Sequence, residues 1–115
     1  MRFPVIKSNT EFRTLYYRGK SRVDPALITY IRKSRLKDET GRPVIRMGIT
    51  AGKKVGRAVD RSRCRRMIRA AWAALYPSLQ GGWDVVIVAR PRILKMKSTD
   101  LIPVLLAHCK EAGML

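Results

Sequence analysis

At 115 residues the chain is long enough for one domain with a modest core, and 46% apolar residues argue against a disordered tail protein. Its 25 Lys and Arg against 8 Asp and Glu give a formal charge of +17, an excess that solubility does not require and that attracts polyanions. We therefore expect a single basic domain, spanning residues 1–115, with a nucleic acid or an anionic membrane as its partner.

The sequence does not predict a membrane anchor, a metal site or a catalytic centre. No apolar run approaches the roughly 20 residues that cross a bilayer, and residues 1–12 lack the apolar core of a signal peptide, so we expect a cytoplasmic protein. Cys64, His108 and Cys109 do not have metal-ligand spacing, and His108 is expected at the surface. Because the carboxylates are scattered singly, we expect no acid-base pair for catalysis.

Periodicity and turn residues predict a mixed α/β chain. In chain order the predicted elements are helix 10–18, strand 26–33, strand 44–51, helix 57–76, strand 83–90 and helix 101–112. Asn9 is expected to cap the first helix, Gly19 to end it, and Thr99 or Asp100 to cap the last. The polar segment 34–43 predicts a hairpin loop that joins the first two strands. The second strand, the long helix and the third strand then form a strand-helix-strand unit.

The most informative stretch is 53–72, which holds eight basic residues and one acidic residue. Helical spacing predicts a buried stripe made up of Cys64, Met67, Ile68, Ala71 and Leu75. The remaining helix surface carries five arginines: Arg61, Arg63, Arg65, Arg66 and Arg69. A solvated helix face usually mixes both signs, whereas like charges four residues apart destabilise a helix by about 0.2 to 0.5 kcal/mol per pair. A bound polyanion removes that penalty. Arginine favours RNA, since its planar fork binds phosphate and stacks on bases.

Three aromatic residues, Phe12, Tyr16 and Tyr30, allow two interpretations. Aromatic residues at helical spacing usually pack into a core. Beside a basic surface, however, they also form stacking platforms for single-stranded RNA. The residues alone leave both interpretations open, whereas Trp72 and Trp83 have the positions of packing anchors.

Three segments carry a resemblance to a known family. GKKVGRAVDRSRCRRMIR, at 52–69, combines a strand exit with an arginine-rich helix. NTEFRTLYYRGKS, at 9–21, has the form of an N-terminal helix and its exit, and WDVVIVARP, at 83–91, that of the strand after the crossover helix. In this order they resemble the protein subunit of bacterial ribonuclease P. One position departs from the pattern, because the Asn of the family's Arg-Asn-Arg core is Ser62 here, which keeps a hydroxyl group and lacks the amide.

The resemblance implies an α/β sandwich with a central mixed, mostly antiparallel sheet and a left-handed β-α-β crossover, an exception to the general right-handed preference. It implies two RNA partners, a catalytic RNA subunit and precursor tRNA. The RNA subunit would remove the 5′ leader with Mg²⁺ that is held mainly by the two RNAs, so no catalytic residue and no obligatory protein partner are expected here. The RNA-binding residues carried over are Lys53, Lys54, Arg57, Arg61, Ser62, Arg63, Arg65, Arg66 and Arg69. Phe12, Tyr16 and Tyr30 match the leader groove.

Two other functions compete with this interpretation. A structural RNA-binding protein of ribosomal type shares the small size and the basicity, and only cleavage of precursor tRNA with an RNA subunit separates the two. A membrane-active cationic protein would need a long apolar face along a basic helix, which this sequence does not present.

Overall fold

The computed structural model describes residues 3–115, in which four strands form one sheet and three helices pack on it. We number the elements in chain order. They are α1 (Asn9–Arg18), β1 (Lys20–Val23), β2 (Leu27–Lys33), β3 (Ile45–Thr50), α2 (Ala58–Leu75), β4 (Trp83–Ala89) and α3 (Ser98–Glu111). Short 3₁₀ turns at Lys53–Val55, Tyr76–Ser78 and Pro91–Lys95 connect them. The mixed α/β class and the six predicted elements are confirmed, with β1 as an additional strand.

The strand order is β1-β2-β4-β3, with β3 parallel to β4 and the other two pairs antiparallel. The predicted hairpin between β2 and β3 is therefore wrong, because β4 lies between them. In β4 the consecutive residues Val85, Val86 and Ile87 are all fully buried. Because consecutive side chains point to opposite faces of a sheet, β4 must be covered on both faces, which favours a central position. Segment 34–43 is long enough to pass β4, and pairs with itself through a bridge between Lys37 and Pro43.

The β3–α2–β4 unit matches the predicted crossover, since its two strands are parallel neighbours joined by a helix. Its left-handedness stays a prediction from the family. On α2 the buried residues are Cys64, Met67, Ile68, Ala71, Trp72 and Leu75, which confirms the predicted stripe and adds Trp72. Each large apolar side chain buried in this way contributes about 1.5 to 3 kcal/mol to folding, which offsets the repulsion among the arginines on the outer surface.

Alternate residues of β4 enter two different cores. Val85 and Ile87 belong to the large core that α2 and α3 complete, whereas Val86 packs with Leu15 of α1 and with Ile6. Helices therefore cover both faces of the sheet, α2 and α3 on one and α1 on the other. No helix within residues 3–115 combines the length and the apolar character that crossing a membrane demands.

Two capping predictions need correction. Asn9 is the first residue of α1 and Ser8 occupies the cap position, without a capping hydrogen bond from its side chain. Asp100 stabilises the start of α3 from inside the helix, where its carboxylate accepts a hydrogen bond from the backbone N–H of Lys97 at 2.8 Å. Gly19 follows α1 as predicted, and its N–H donates to the carbonyl oxygen of Leu15.

His108 is buried, contrary to the prediction of a surface position, with only 7% of the residue exposed. It lies on the inner face of α3, and its Nδ1 is 2.8 Å from Oγ1 of Thr29, the buried polar residue of β2. Each polar group thus provides the other's hydrogen-bond partner inside an apolar core. Burial lowers the pKa of His108, and the nearby carboxylates of Glu111 and Asp24 oppose that effect in part.

Candidate nucleic-acid interface

A cleft beside β3 separates α1 from α2, and we call it the α1–α2 cleft. It has two adjoining parts, and Phe12, Ile49 and Arg65 line both. α1 adds Arg13 and Tyr16 to its wall. α2 adds Arg69. The cleft thus brings two of the three predicted leader-binding aromatic residues against two of the predicted RNA-binding arginines.

Tyr16 is the most exposed of the three predicted leader-binding aromatic residues, with 37% of the residue exposed. Its hydroxyl group lies 2.6 Å from Oγ1 of Thr50 on β3, which fixes the ring across the cleft. The ring of Tyr30 meets it edge to face, with the ring centroids 5.1 Å apart. Tyr30 is half-buried against the core made up of Ile6, Leu15 and Val86. It therefore packs against Tyr16 and does not line the cleft itself.

Phe12 belongs partly to the core and partly to the cleft. Its ring lies against the backbone of Gly48 in β3, and a Cβ atom at that position would stand 2.6 Å from Cζ of Phe12. Such a contact is far inside van der Waals distance, so a glycine in β3 is what allows the ring to approach the sheet this closely. Phe12 therefore belongs both to the core and to the groove, whereas Tyr16 lies at the surface of the cleft.

Arg46 holds α1 to the sheet. Its Nε and Nη2 donate to the two carboxylate oxygens of Asp84 on β4 at 3.0 and 2.9 Å, and Nη2 also donates to Glu11 of α1 at 2.6 Å. Both carboxylates raise the pKa of Arg46, which burial opposes. Because Glu11 precedes Phe12, this three-membered ion cluster sets the position of the aromatic wall of the cleft.

The arginines of α2 spread over three directions. Arg65 and Arg69 face the cleft, whereas Arg66 points to solvent. Arg63 lies on the far side, where its Nη1 donates to the carbonyl oxygen of Leu94 at 2.8 Å. Arg61 makes a long contact of 3.5 Å with the carbonyl oxygen of Gly56. Ser62 is exposed on the same helix.

Three further predicted cations precede α2. Lys53 and Lys54 lie on a 3₁₀ turn and Arg57 follows it, all of them exposed. Among the predicted RNA-binding cations of the described chain, Arg57 alone has an ion pair, with Asp60 at 4.0 Å. The positive charge of this surface is therefore almost entirely left for an external anion.

The residue-based prediction missed Arg13, and with it the basic character of the α1 wall. Asn9, Phe12, Arg13 and Tyr16 line the cleft together because they recur at i, i+3, i+4 and i+7 along α1. That spacing is visible in the sequence and would have identified the face.

Comparisons with known proteins identify the family of the chain. The family model described as Ribonuclease P matches residues 2–113. The ribonuclease P protein component of a Bacillus cereus strain is 34% identical over 109 residues, which cover 95% of this chain and 90% of the relative. That of a Bacillus anthracis strain is 35% identical, with 95% and 87% covered.

Two solved structures share the fold. The RNase P protein of Staphylococcus aureus superposes with a TM-score of 0.77 at 24% identity, and 98% of each chain is covered. That of Thermotoga maritima gives a TM-score of 0.77 at 20% identity, with 93% of this chain and 96% of the other covered. The family match decides against the ribosomal-type alternative. The chain belongs to the ribonuclease P protein family, as a protein component of ribonuclease P.

Proposed function

We propose that this chain binds the catalytic RNA subunit of ribonuclease P through α2 and the turn before it, and holds the single-stranded 5′ leader of precursor tRNA in the α1–α2 cleft. The observation that carries the proposal is the meeting of an exposed aromatic ring and an exposed arginine of α1 in one cleft, Tyr16 and Arg13. A leader nucleotide offers a base for the first and a phosphate for the second.

The basic surface of α2 suits a folded RNA. Its arginines point in several directions, so they meet phosphates of a curved surface rather than those of one extended strand. Each phosphate that they neutralise releases condensed counterions, which makes binding strongest at low salt. Ser62, in place of the family's Asn, contributes one hydroxyl group to this surface.

The cleavage chemistry belongs to the RNA in this proposal, and the chain acts as the accessory subunit of an endoribonuclease. Mg²⁺ is held by phosphates of the RNA subunit and the substrate. Residues 3–115 contain no group of three or more His, Cys, Asp or Glu side chains that could hold a metal ion. The protein supplies positive charge, stacking and a path for the leader.

The test compares two arginine pairs in binding to the catalytic RNA subunit across a salt series. In the variant Arg65→Gln/Arg66→Gln we expect the slope of log K against log salt to become shallower by about 1.4 to 1.8. The variant Arg35→Gln/Arg42→Gln removes the same charge from exposed positions outside α2 and should keep the wild-type slope more closely. Equal losses in both variants would show that only net charge matters, and would overturn the proposed role of α2.

A further inference from the structure

A second cleft lies at the other edge of the sheet, between β1 and the C-terminal end of α3. We call it the β1–α3 cleft. Five cations from the end of α1, from β1 and from β2 line it, and they are Arg18, Lys20, Arg22, Arg32 and Lys33. Ile31, Trp83 and Ala112 supply apolar surface, and Glu111 is the one carboxylate. The cavity measures about 330 Å³, within the range of sites that take small groups of atoms.

The two lysines of this cleft lie on the sheet face away from the α1–α2 cleft, whereas Arg32 lies on the same face as Tyr30. Lys20 and Lys33 share a sheet face with Ile31, whose side chain lies in the core under α2 and α3, because cross-strand partners and alternate residues point the same way. Phe12 and Tyr30 lie on the opposite face. Since β3 borders one cleft and β1 the other, the full width of the sheet, about 14 Å, separates them as well.

The charge of the β1–α3 cleft is largely uncompensated. Glu111 pairs with Arg22 at 3.1 Å, and among the described residues the other four lining cations have no ion-pair partner. Lys33 places its ammonium group 5.8 Å from the ring centroid of Trp83, which is half-buried. The ammonium group stands over the ring, so a phosphate that draws Lys33 outward would expose that ring face to the unstacked base of the same nucleotide.

We infer that the β1–α3 cleft is a second RNA-binding site, which takes an unpaired nucleotide of the catalytic RNA subunit. Its phosphate is bound by Lys20 and Lys33, and its base contacts Trp83. The inference rests on the proposed function, because it takes the RNA subunit to be this chain's partner. The leader is not the occupant, since a strand in the α1–α2 cleft would have to leave that cleft and pass around the edge of the sheet.

The first test measures binding of the full-length chain to the RNA subunit alone, across a salt series. We expect Lys20→Gln/Lys33→Gln to make the slope of log K against log salt shallower by about 1.4 to 1.8. In a separate measurement with precursor tRNA, the same variant should leave the dependence of affinity on leader length unchanged. The matched control is Lys37→Gln/Lys97→Gln, which removes two exposed lysines outside both clefts and should keep the wild-type slope. Far-UV circular dichroism checks that each variant is folded.

The second test uses tryptophan emission of the wild-type protein. Trp72 is fully buried, so contact with a base acts on the emission of Trp83, and Trp83→Phe identifies that part of the signal. We expect the RNA subunit to quench the Trp83 emission and a short leader oligonucleotide to leave it unchanged. Stacking predicts a loss of RNA-subunit affinity of about fivefold or more in Trp83→Leu.

A wild-type slope in Lys20→Gln/Lys33→Gln, or Trp83 emission that the RNA subunit leaves unchanged, would overturn the inference. Quenching by the leader oligonucleotide alone would assign the cleft to the substrate and would also overturn it. The proposed function fails separately, because its own arginine pair on α2 tests it. If Arg65→Gln/Arg66→Gln shows its expected loss while the lysine pair does not, only the second site is wrong.

Discussion

Tyr16 presents a ring to the α1–α2 cleft and is fixed there by a hydroxyl contact to Thr50 and an edge contact to Tyr30. If a leader base stacks on this ring, Tyr16→Ala should weaken leader binding by about 1 to 3 kcal/mol. Tyr16→Phe keeps the stacking face and should retain most of the affinity. The measurement is the affinity for precursor tRNA as a function of leader length.

Tyr17 provides the matched control for that experiment. It is the next residue of α1 and is 88% exposed, outside the cleft. Tyr17→Ala should therefore bind long and short leaders as the wild type does. If Tyr16→Ala and Tyr17→Ala behave alike, the ring of Tyr16 has no specific contact with the leader.

His108 should make folding stability depend on pH in mildly acidic solution. Its pKa is lowered in the folded protein, so below the ordinary value of 6.5 the unfolded chain binds the proton more readily than the folded chain does. Stability that is present above pH 6.5 is therefore lost as the pH falls towards the folded-state pKa. In urea unfolding between pH 8 and 5.5, His108→Gln should show a flatter dependence than the wild type. An unchanged pH dependence in this variant would contradict the prediction.

At the scale of the elements, the guanidinium group of Arg46 helps the apolar contacts of Leu15 to hold α1 on the sheet. Removing it in Arg46→Met leaves two carboxylates without their partner, at side chains that are 17% exposed in Asp84 and 40% in Glu11. We expect the free energy of unfolding to fall by about 1 to 3 kcal/mol and the amides of α1 to exchange faster with solvent. Leader affinity should fall with them, while binding of the RNA subunit by α2 stays close to that of the wild type.

A second substitution distinguishes the loss of the ion cluster from a general destabilisation of the sheet. Adding Asp84→Asn to Arg46→Met replaces the half-buried unpaired charge with a neutral amide of the same shape, so part of the lost stability should return. The comparison is made by urea unfolding at neutral pH. A double variant less stable than Arg46→Met would show that the cluster does not act as described.

The sequence predicts an element well when the apolar pattern of that element alone shows which of its faces must be buried. The stripe of α2 and the apolar run of β4 each specify what must cover them, and both lie where periodicity places them. β1 was missed because its four residues, KSRV, are mostly exposed and show no clear alternation. The predicted β2–β3 hairpin was wrong because the strand that is buried on both faces takes a central position in the sheet. That strand is β4, and it therefore separates β2 from β3.

The candidate site follows the same division. The basic face of α2 is evident from composition, since its charges are local to one helix. The cleft is not, because it requires α1, β3 and α2 to meet, and because Arg46 and Gly48 act on Phe12 across long distances in the chain. His108 was misplaced for a related reason, since its buried partner Thr29 lies on a different element.

At the scale of the whole molecule, the charge of +17 is spread over separate surfaces, as the proposed binding of two RNAs to one protein requires. Cations line both the α1–α2 cleft and the β1–α3 cleft, at opposite edges of the sheet, and α2 carries further arginines on its outer surface. Phosphates of two RNAs repel each other where they come together, and Mg²⁺ screens that repulsion when no other cation is present. A basic protein at the junction supplies the same screening.

The chain should therefore lower the Mg²⁺ concentration that cleavage of precursor tRNA requires. The measurement is a Mg²⁺ titration of cleavage by the RNA subunit with and without protein, at constant monovalent salt. We expect a lower midpoint with the wild type, and for Arg65→Gln/Arg66→Gln a midpoint shifted towards that of the RNA alone, because each lost arginine leaves a phosphate for Mg²⁺ to screen. Arg35→Gln/Arg42→Gln should keep a midpoint near that of the wild type. The same Mg²⁺ requirement with and without protein would mean that charge screening is not what the protein contributes, and leader binding alone would then have to account for its effect on cleavage.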